Sequence, residues 1–376
     1  LSADIWDGEY FDSRKASYEK LSTPGDLSRG WKKVRLKADA NVLITRQIGP
    51  SIRVRNIRMK PKTAVVYTEV EQNGTDFGKI VPAAKYRNVN ALTLKKGETL
   101  IFDMGQDMVG WANIVVKGNA NTRLTMRYAE MLNDSGRKDR GNDGPEGSVY
   151  TANYRSAKAR GTYILSGDKE ESYHPMFVFY GFRYVELTAT DDIELVSFKA
   201  DVVGSDTKEV GKLETSSKDV NKLISNILWG QRGNYLSVPT DCPQRDERLG
   251  WTGDTQIFCP AAAFNADIDG FFHKWLQDAR DSQGENGAYP DVIPRVPVVG
   301  EGHTAWGDAG IIVPYNIYRV YGDIKILKES YKSMELYMSF VAKNGLNGPL
   351  PVYGDWLAYE PTEERIPCSH TPQQCQ

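Results

Sequence analysis

Residues 238–256 read VPTDCPQRDERLGWTGDTQ, and this stretch decides how the rest of the chain is read. It holds four acids (Asp241, Asp246, Glu247, Asp254), two arginines (Arg245, Arg248) and Trp251, with Pro239 and Pro243 on either side of the first acid. A buried core segment would not carry so many charges, because an unpaired buried ion costs several kcal/mol. A solvated loop has no use for the tryptophan. Acids held at fixed spacing by arginines, beside an aromatic plate, suit a site that binds and cleaves a sugar. Carboxylates move protons and accept from hydroxyls, and an aromatic face stacks on the apolar face of a pyranose. The competing reading is a structural ion-pair network at a helix start.

On either side of this stretch the hydrophobic period differs. Residues 1 to about 207 read as β. Ala64–Glu71 (AVVYTEVE) is rich in β-branched residues, and residues 112–116, 123–128 and 183–188 alternate apolar with polar. Asn73-Gly74 and Lys117-Gly118 supply turn punctuation. Asn133–Ser148, NDSGRKDRGNDGPEGS, predicts a long exposed loop. After Gly211 the spacing becomes helical. Ser216 and Asp219 make a cap-like start before Val220, Leu223, Ile224, Ile227 and Leu228. Ile268, Phe271, Phe272, Trp275 and Ala279 form a second stripe. Asp323 caps a third, Ile324, Leu327, Tyr331, Met334, Met338 and Val341, which Asn344-Gly345 stops; the spacing predicts that this stripe faces a core.

Composition bounds the answer. A chain of 376 residues suggests two or three domains, and 40% hydrophobic residues with 11% aromatic can bury a sizeable core. A formal net charge of −2 leaves no electrostatic footprint for nucleic acid or an anionic membrane. The longest apolar runs are strand-length, which predicts no membrane span, and no signal peptide is visible. Cys242, Cys259, Cys368 and Cys375 are too few for a disulfide scaffold and match no zinc spacing, so no metal or cofactor is expected. Cys368 and Cys375 could pair in an oxidising compartment.

The central stretch resembles the signature of bacterial α-L-rhamnosidases, glycoside hydrolase family 78, and the resemblance extends in order along the chain. Upstream it includes LSADIWDGEYFDSR (1–14), IFDMGQDMVGWANIVVKG (101–118), RYAEML (127–132), TYILSG (162–167) and FYGFRYVEL (179–187). Downstream it includes AWGDAGIIVPYNIYRVYGD (305–323) and YGDWLA (353–358), after which EERIPCSHTPQQCQ (363–376) departs from the family pattern. The resemblance implies β-sandwich domains followed by an all-α (α/α)6 six-hairpin barrel. Residues 1–50 would be the end of an N-terminal β-sandwich domain, 51–207 a second β-sandwich domain, and 208–376 the N-terminal part of the barrel. A complete barrel has twelve helices, and about five fit between Ser216 and Asn344, so the chain is expected to be cut short.

The resemblance also implies an inverting exo-α-L-rhamnosidase acting on terminal rhamnose of a glycoside or polysaccharide. Inverting enzymes space an acid and a base roughly 6.5–9.5 Å apart to admit water. The matching general acid is Glu247, with acidic neighbours that raise a carboxyl pKa and with Arg245 and Arg248 opposing them. Asp241, Arg245 and Asp254 match positions that bond rhamnose hydroxyls, although a purely structural role for Arg245 stays open. Trp251 and Trp306 match pocket aromatics that pack on the sugar face and its C6 methyl; Trp356 is a further candidate. Asp308 and Asp355 fit either hydroxyl ligands or helix caps, and His303 fits a structural histidine. No position matches the general base, which is expected to be missing from this chain, although the pair Glu363-Glu364 offers itself. Two alternatives remain: a non-catalytic carbohydrate-binding remnant, and an inverting glycosidase of the same architecture for another sugar.

Overall fold

A computed structural model of the chain describes residues 1–15, 49–86, 89, 91–345 and 353. It divides into two units, Leu1–Gln47 with Arg58–Asp201, and Ile48–Ile57 with Val202–Gln376.

The first unit is built on a sheet whose spine is the 20-residue strand Thr99–Gly118. Along its second half Ala112, Ile114 and Val116 are buried and their neighbours are not, the alternation expected of a strand with one face on a core. Tyr180–Ala189 runs antiparallel beside it, with Val185 opposite Phe102 and Leu187 opposite Leu100. The register shifts between Phe182 and Tyr184, and there Arg183 places its fork on Asp103 with two bonds of 2.8 Å. Arg123–Ala129, Arg160–Ile164 and Gly8–Asp12 extend the sheet in that order, the last pair parallel. Stacked rings fill the core, Tyr128 on Tyr180 at 3.8 Å and Phe102 on Phe198 at 3.9 Å. Glu9, buried among them, accepts from the Tyr173 hydroxyl and from the Met176 and Phe177 amides. Residues 133–148 are less exposed than their polarity suggests. Asn133, Asn142 and Ser148 are buried, because the Asn133 amide donates to Ser148 and Val149 and folds the loop on itself.

The second unit is helical: α1 (Lys218–Asn234), α2 (Thr252–Asn265), α3 (Asp269–Ser282), α4 (Ala309–Tyr321) and α5 (Ile324–Asn344). Ser217, one residue later than the sequence suggests, caps α1 through the Val220 amide. Asp323 caps α5 through the Lys325 amide, and Gly345 ends it at a positive φ of 79°, a stop at the residue expected. Three-residue and two-residue links turn α2–α3 and α4–α5 into helical hairpins. Cross-ties join them: the Tyr321 hydroxyl accepts from the Ile268 amide, and His273 Nε2 meets Asp323 at 2.6 Å. The core holds Tyr235, Phe271, Phe272, Trp275, Val313, Ile317, Tyr337 and Phe340.

The buried face of α5 is rotated from the one the apolar spacing selects. Its buried residues are Ile326, Ser330, Ser333, Tyr337 and Phe340; of the predicted core stripe, Leu327 and Val341 pack against the core half-buried, whereas Ile324, Tyr331 and Met338 are exposed. Hydroxyls explain the rotation: Ser333 donates to Gln283 and is bonded to Tyr289, and Tyr337 donates to Asp308, so polar side chains enter the core already partnered. Apolar faces are open elsewhere in the unit too. Val220, Leu223 and Ile227 of α1 are exposed, and Ile257 and Phe264 of α2 stand 74% and 78% exposed. Patches of this kind are unusual on soluble monomers. The isolated chain should therefore bind a hydrophobic dye strongly and self-associate, and Ile257→Ser with Phe264→Ser should reduce both without lowering the melting temperature. A monomer that melts cooperatively and binds no dye would contradict this.

Candidate active site

Between α1 and α2 the backbone is tied down at several points, which is how a charged segment comes to hold fixed side chains. Tyr235–Leu236 and Val238–Pro239 form a small antiparallel turn. Thr240 is anchored on Asn234 by its amide (2.9 Å) and its hydroxyl (3.0 Å to Oδ1). The Asp241 amide donates to the Leu249 carbonyl, closing the loop that contains Cys242 to Arg248. Gly250 follows where no side chain fits, since a Cβ there would lie 2.2 Å from the Ile293 carbonyl oxygen. Trp251 then bridges to Val292, and α2 begins at Thr252.

Inside the loop the Arg245 guanidinium joins two acids. Nη2 donates to Asp241 at 3.0 Å and Nε donates to Glu247 at 2.9 Å. The other Glu247 oxygen accepts from the Trp251 indole Nε1 at 2.7 Å. Glu247 is thus held at both oxygens, with its side chain largely buried. Arg248 turns the other way, toward the Gln244 carbonyl, from a left-handed backbone position at φ 57°. Asp254, in the first turn of α2, stands by the same charges. With Asp241 it lines a cavity of about 330 Å³ whose walls include Tyr235, Ile257 and Phe258. Burial, aided by the Glu247 charge, lifts the Asp241 carboxyl from 3.8 to about 6, and burial raises Asp254 as well. The Cys242 thiol, also buried, is pushed up to about 12 and remains a thiol beside Asp241.

Of the residues expected from sequence, Asp241, Arg245, Glu247 and Trp251 form one bonded cluster, with Asp254 beside it. Trp306 packs over Gly253, where an added Cβ would sit 2.9 Å from its ring. It reaches Trp251 through Tyr353, whose ring centroid lies 4.5 Å from Trp306 and 6.1 Å from Trp251. Asp308 is at the α4 N-cap position, but its carboxylate accepts from the Ala305 amide and the Tyr337 hydroxyl, not from the helix. Trp356, Asp355, Glu363, Glu364, Cys368 and Cys375 lie outside the described residues. Tyr353 and Asp291 were missed by the sequence reading. The signals were present: a tyrosine opening the YGDWLA motif, and an acid set in the apolar run AYPDVI. Among the described residues, two groups bring three possible metal ligands together, Asp241–Cys242–Glu247 and Asp269–His273–Asp323. In the first an arginine already bridges the acids, and in the second His273 and Asp323 already pair directly.

The raised Asp241 carboxyl has a signed consequence. The folded state keeps the proton up to about 6, whereas the unfolded chain releases it near 3.8, so stability falls as pH rises across that window and stays lower above it. Asp241→Asn should therefore shift the melting temperature more favourably at about pH 7 than at about pH 4, where the parent carboxyl is still protonated. An equal shift at both values would show that Asp241 titrates as an ordinary surface acid.

Comparison with known proteins agrees with this architecture. The model of the bacterial alpha-L-rhamnosidase 6 hairpin glycosidase domain matches residues 208–374, and that of the bacterial alpha-L-rhamnosidase concanavalin-like domain matches residues 93–204. An alpha-L-rhamnosidase of Streptomyces avermitilis is 40% identical over 362 residues, covering 95% of this chain and 31% of that protein. One from Formosa agariphila is 38% identical over 302 residues, covering 79% of this chain and 31% of its own length. The crystal structure of the Streptomyces avermitilis alpha-L-rhamnosidase complexed with L-rhamnose superposes with a TM-score of 0.78 at 37% identity, over 98% of this chain and 32% of that one. The Dictyoglumus thermophilum alpha-L-rhamnosidase gives 0.69 at 30% identity, over 94% of this chain and 36% of that one. This chain spans about a third of the length of the curated relatives it matches. With a sheet domain, part of a six-hairpin glycosidase domain and the signature stretch in place, the chain belongs to the bacterial α-L-rhamnosidase family.

Proposed function

We propose that the chain supplies the general acid and the sugar-holding wall of an inverting, exo-acting α-L-rhamnosidase that releases terminal α-L-rhamnose from a glycoside or polysaccharide. The observation that carries this is the Glu247 carboxylate, held at one oxygen by Arg245 and at the other by Trp251. An acid that must meet one glycosidic oxygen benefits from a fixed position. Glu247 would protonate the leaving oxygen while Asp241, Arg245 and Asp254 hold the sugar hydroxyls. Asp241, with its carboxyl lifted to about 6, can donate as well as accept in mildly acidic solution. Trp251 and Trp306, with Trp356, would pack on the ring and the C6 methyl, an apolar corner that selects a deoxy sugar. A relative's complex with L-rhamnose supports the choice of sugar.

This reading assigns no general base within the chain. General-base assistance contributes ~10²–10⁴-fold, so the 376-residue chain should cleave an aryl α-L-rhamnoside more slowly than a full-length relative by about that factor. In a protein extended by a relative's downstream portion, turnover should recover and the first product should be the β anomer of L-rhamnose. There Glu247→Gln should remove most of the turnover while sparing affinity for the sugar. Retention of the α anomer would refute inversion, and unaffected turnover would refute Glu247 as acid. Robust turnover by the chain alone would place the base within it, with Glu363 and Glu364 the first to substitute. Sugar binding that never develops turnover in the extended protein would favour the carbohydrate-binding reading.

A further inference from the structure

Linked to Glu247 through Tyr353 and Trp251 is a buried carboxylate that the proposed chemistry does not use. Asp291 is fully buried. Its carbonyl accepts from the Thr252 amide (2.9 Å) and hydroxyl (3.0 Å), and its amide donates to the Gly300 carbonyl at 3.0 Å, so its backbone is pinned to the start of α2. Its Oδ2 accepts from His303 Nδ1 at 2.5 Å and from the Tyr353 hydroxyl at 3.0 Å, and Oδ1 faces the His303 amide at 3.4 Å. A Cβ at Gly300 would lie 2.7 Å from His303 and 2.9 Å from Asp291, so the group is closely packed. Burying a charge there costs heavily unless donors surround it, and an apolar side chain would fill the space at less cost. What the carboxylate gains is orientation. Tyr353, tethered by its hydroxyl, lies against His303 at 4.9 Å and Trp306 at 4.5 Å and meets Trp251 edge to face, at an interplanar angle of 87°. That contact limits the rotation of the indole whose Nε1–H donates to Glu247.

We propose that Asp291 and Tyr353 are positioning residues for Glu247: the buried carboxylate fixes Tyr353, Tyr353 fixes the Trp251 indole, and the indole fixes the acid. The inference rests on reading Glu247 as that acid. His303 completes the anchor by filling a second acceptor site on Asp291. Burial and the Asp291 charge raise the Tyr353 phenol above its ordinary value, so it remains a donor under all ordinary conditions.

The test is the indole N–H signal of Trp251 in ¹⁵N-labelled chain, assigned by its loss in Trp251→Phe. In the parent, the signal should shift with pH as the carboxylate it bonds titrates, and Glu247→Gln should remove that dependence. Asp291→Asn and Tyr353→Phe should each move the signal, change its pH profile and speed its exchange with water by about tenfold, the loss of one hydrogen bond's worth of order. Tyr353→Phe keeps the ring and removes one oxygen, so it serves if Asp291→Asn does not fold. If both variants fold with the Trp251 signal, its pH profile and its exchange unchanged, Asp291 and Tyr353 only pack, and the proposal falls. The measurement needs no turnover, so its failure is separate from any failure of the rhamnosidase reading.

Discussion

The acidic cluster depends on one guanidinium. Asp241, Glu247 and Asp254 repel one another in a partly buried setting, and Arg245 offsets that repulsion by bonding two of them at once, through Nη2 and Nε. A lysine could reach one acid as a point charge, but it lacks the planar fork that spans both. Removing Arg245 would leave two partly buried carboxylates without compensation and so destabilise the loop. The ion-pair reading and the sugar-site reading of this stretch are therefore compatible. The ion pairs are structural, and in the proposed reading they also hold the carboxylates for sugar hydroxyls and a glycosidic oxygen.

The helical unit positions this cluster and leaves much of its own apolar surface open. Two helical hairpins and α1 bury a compact aromatic core, with Trp275, Phe271 and Phe272 at its centre. The outward stripes of α1, α2 and α5 have no cover among the described residues. In the proposed reading the site is one wall of a larger barrel, and those stripes are where further helices would pack. The Asp323–His273 pair and the Tyr321 hydroxyl show how the hairpins hold together without that cover, through polar ties at their turns.

Much of this was legible in the sequence because it rests on local chemistry. The change from a period of two to a helical period, the Asp323 cap and the Gly345 stop are set by neighbouring residues, and the structure has them. The motif placed Asp241, Arg245, Glu247 and Trp251 within reach of one another, and they bond as a group. What sequence could not show was tertiary. The buried face of α5 runs through Ser330 and Ser333 because Arg280, Gln283 and Tyr289 wait for their hydroxyls on another part of the fold. Asp291 and Tyr353 stand 62 positions apart, and nothing local reveals that one orients the other.

In the proposed reading the cluster around Glu247, with Trp306 beside it, binds rhamnose. Saturation-transfer NMR of L-rhamnose with the 376-residue chain detects even weak binding and reports which sugar protons touch protein. A rhamnose site there predicts transfer strongest at the C6 methyl, diminished by Trp306→Ala and lost in Asp241→Ala. Absence of transfer, or transfer indifferent to both substitutions, would contradict it.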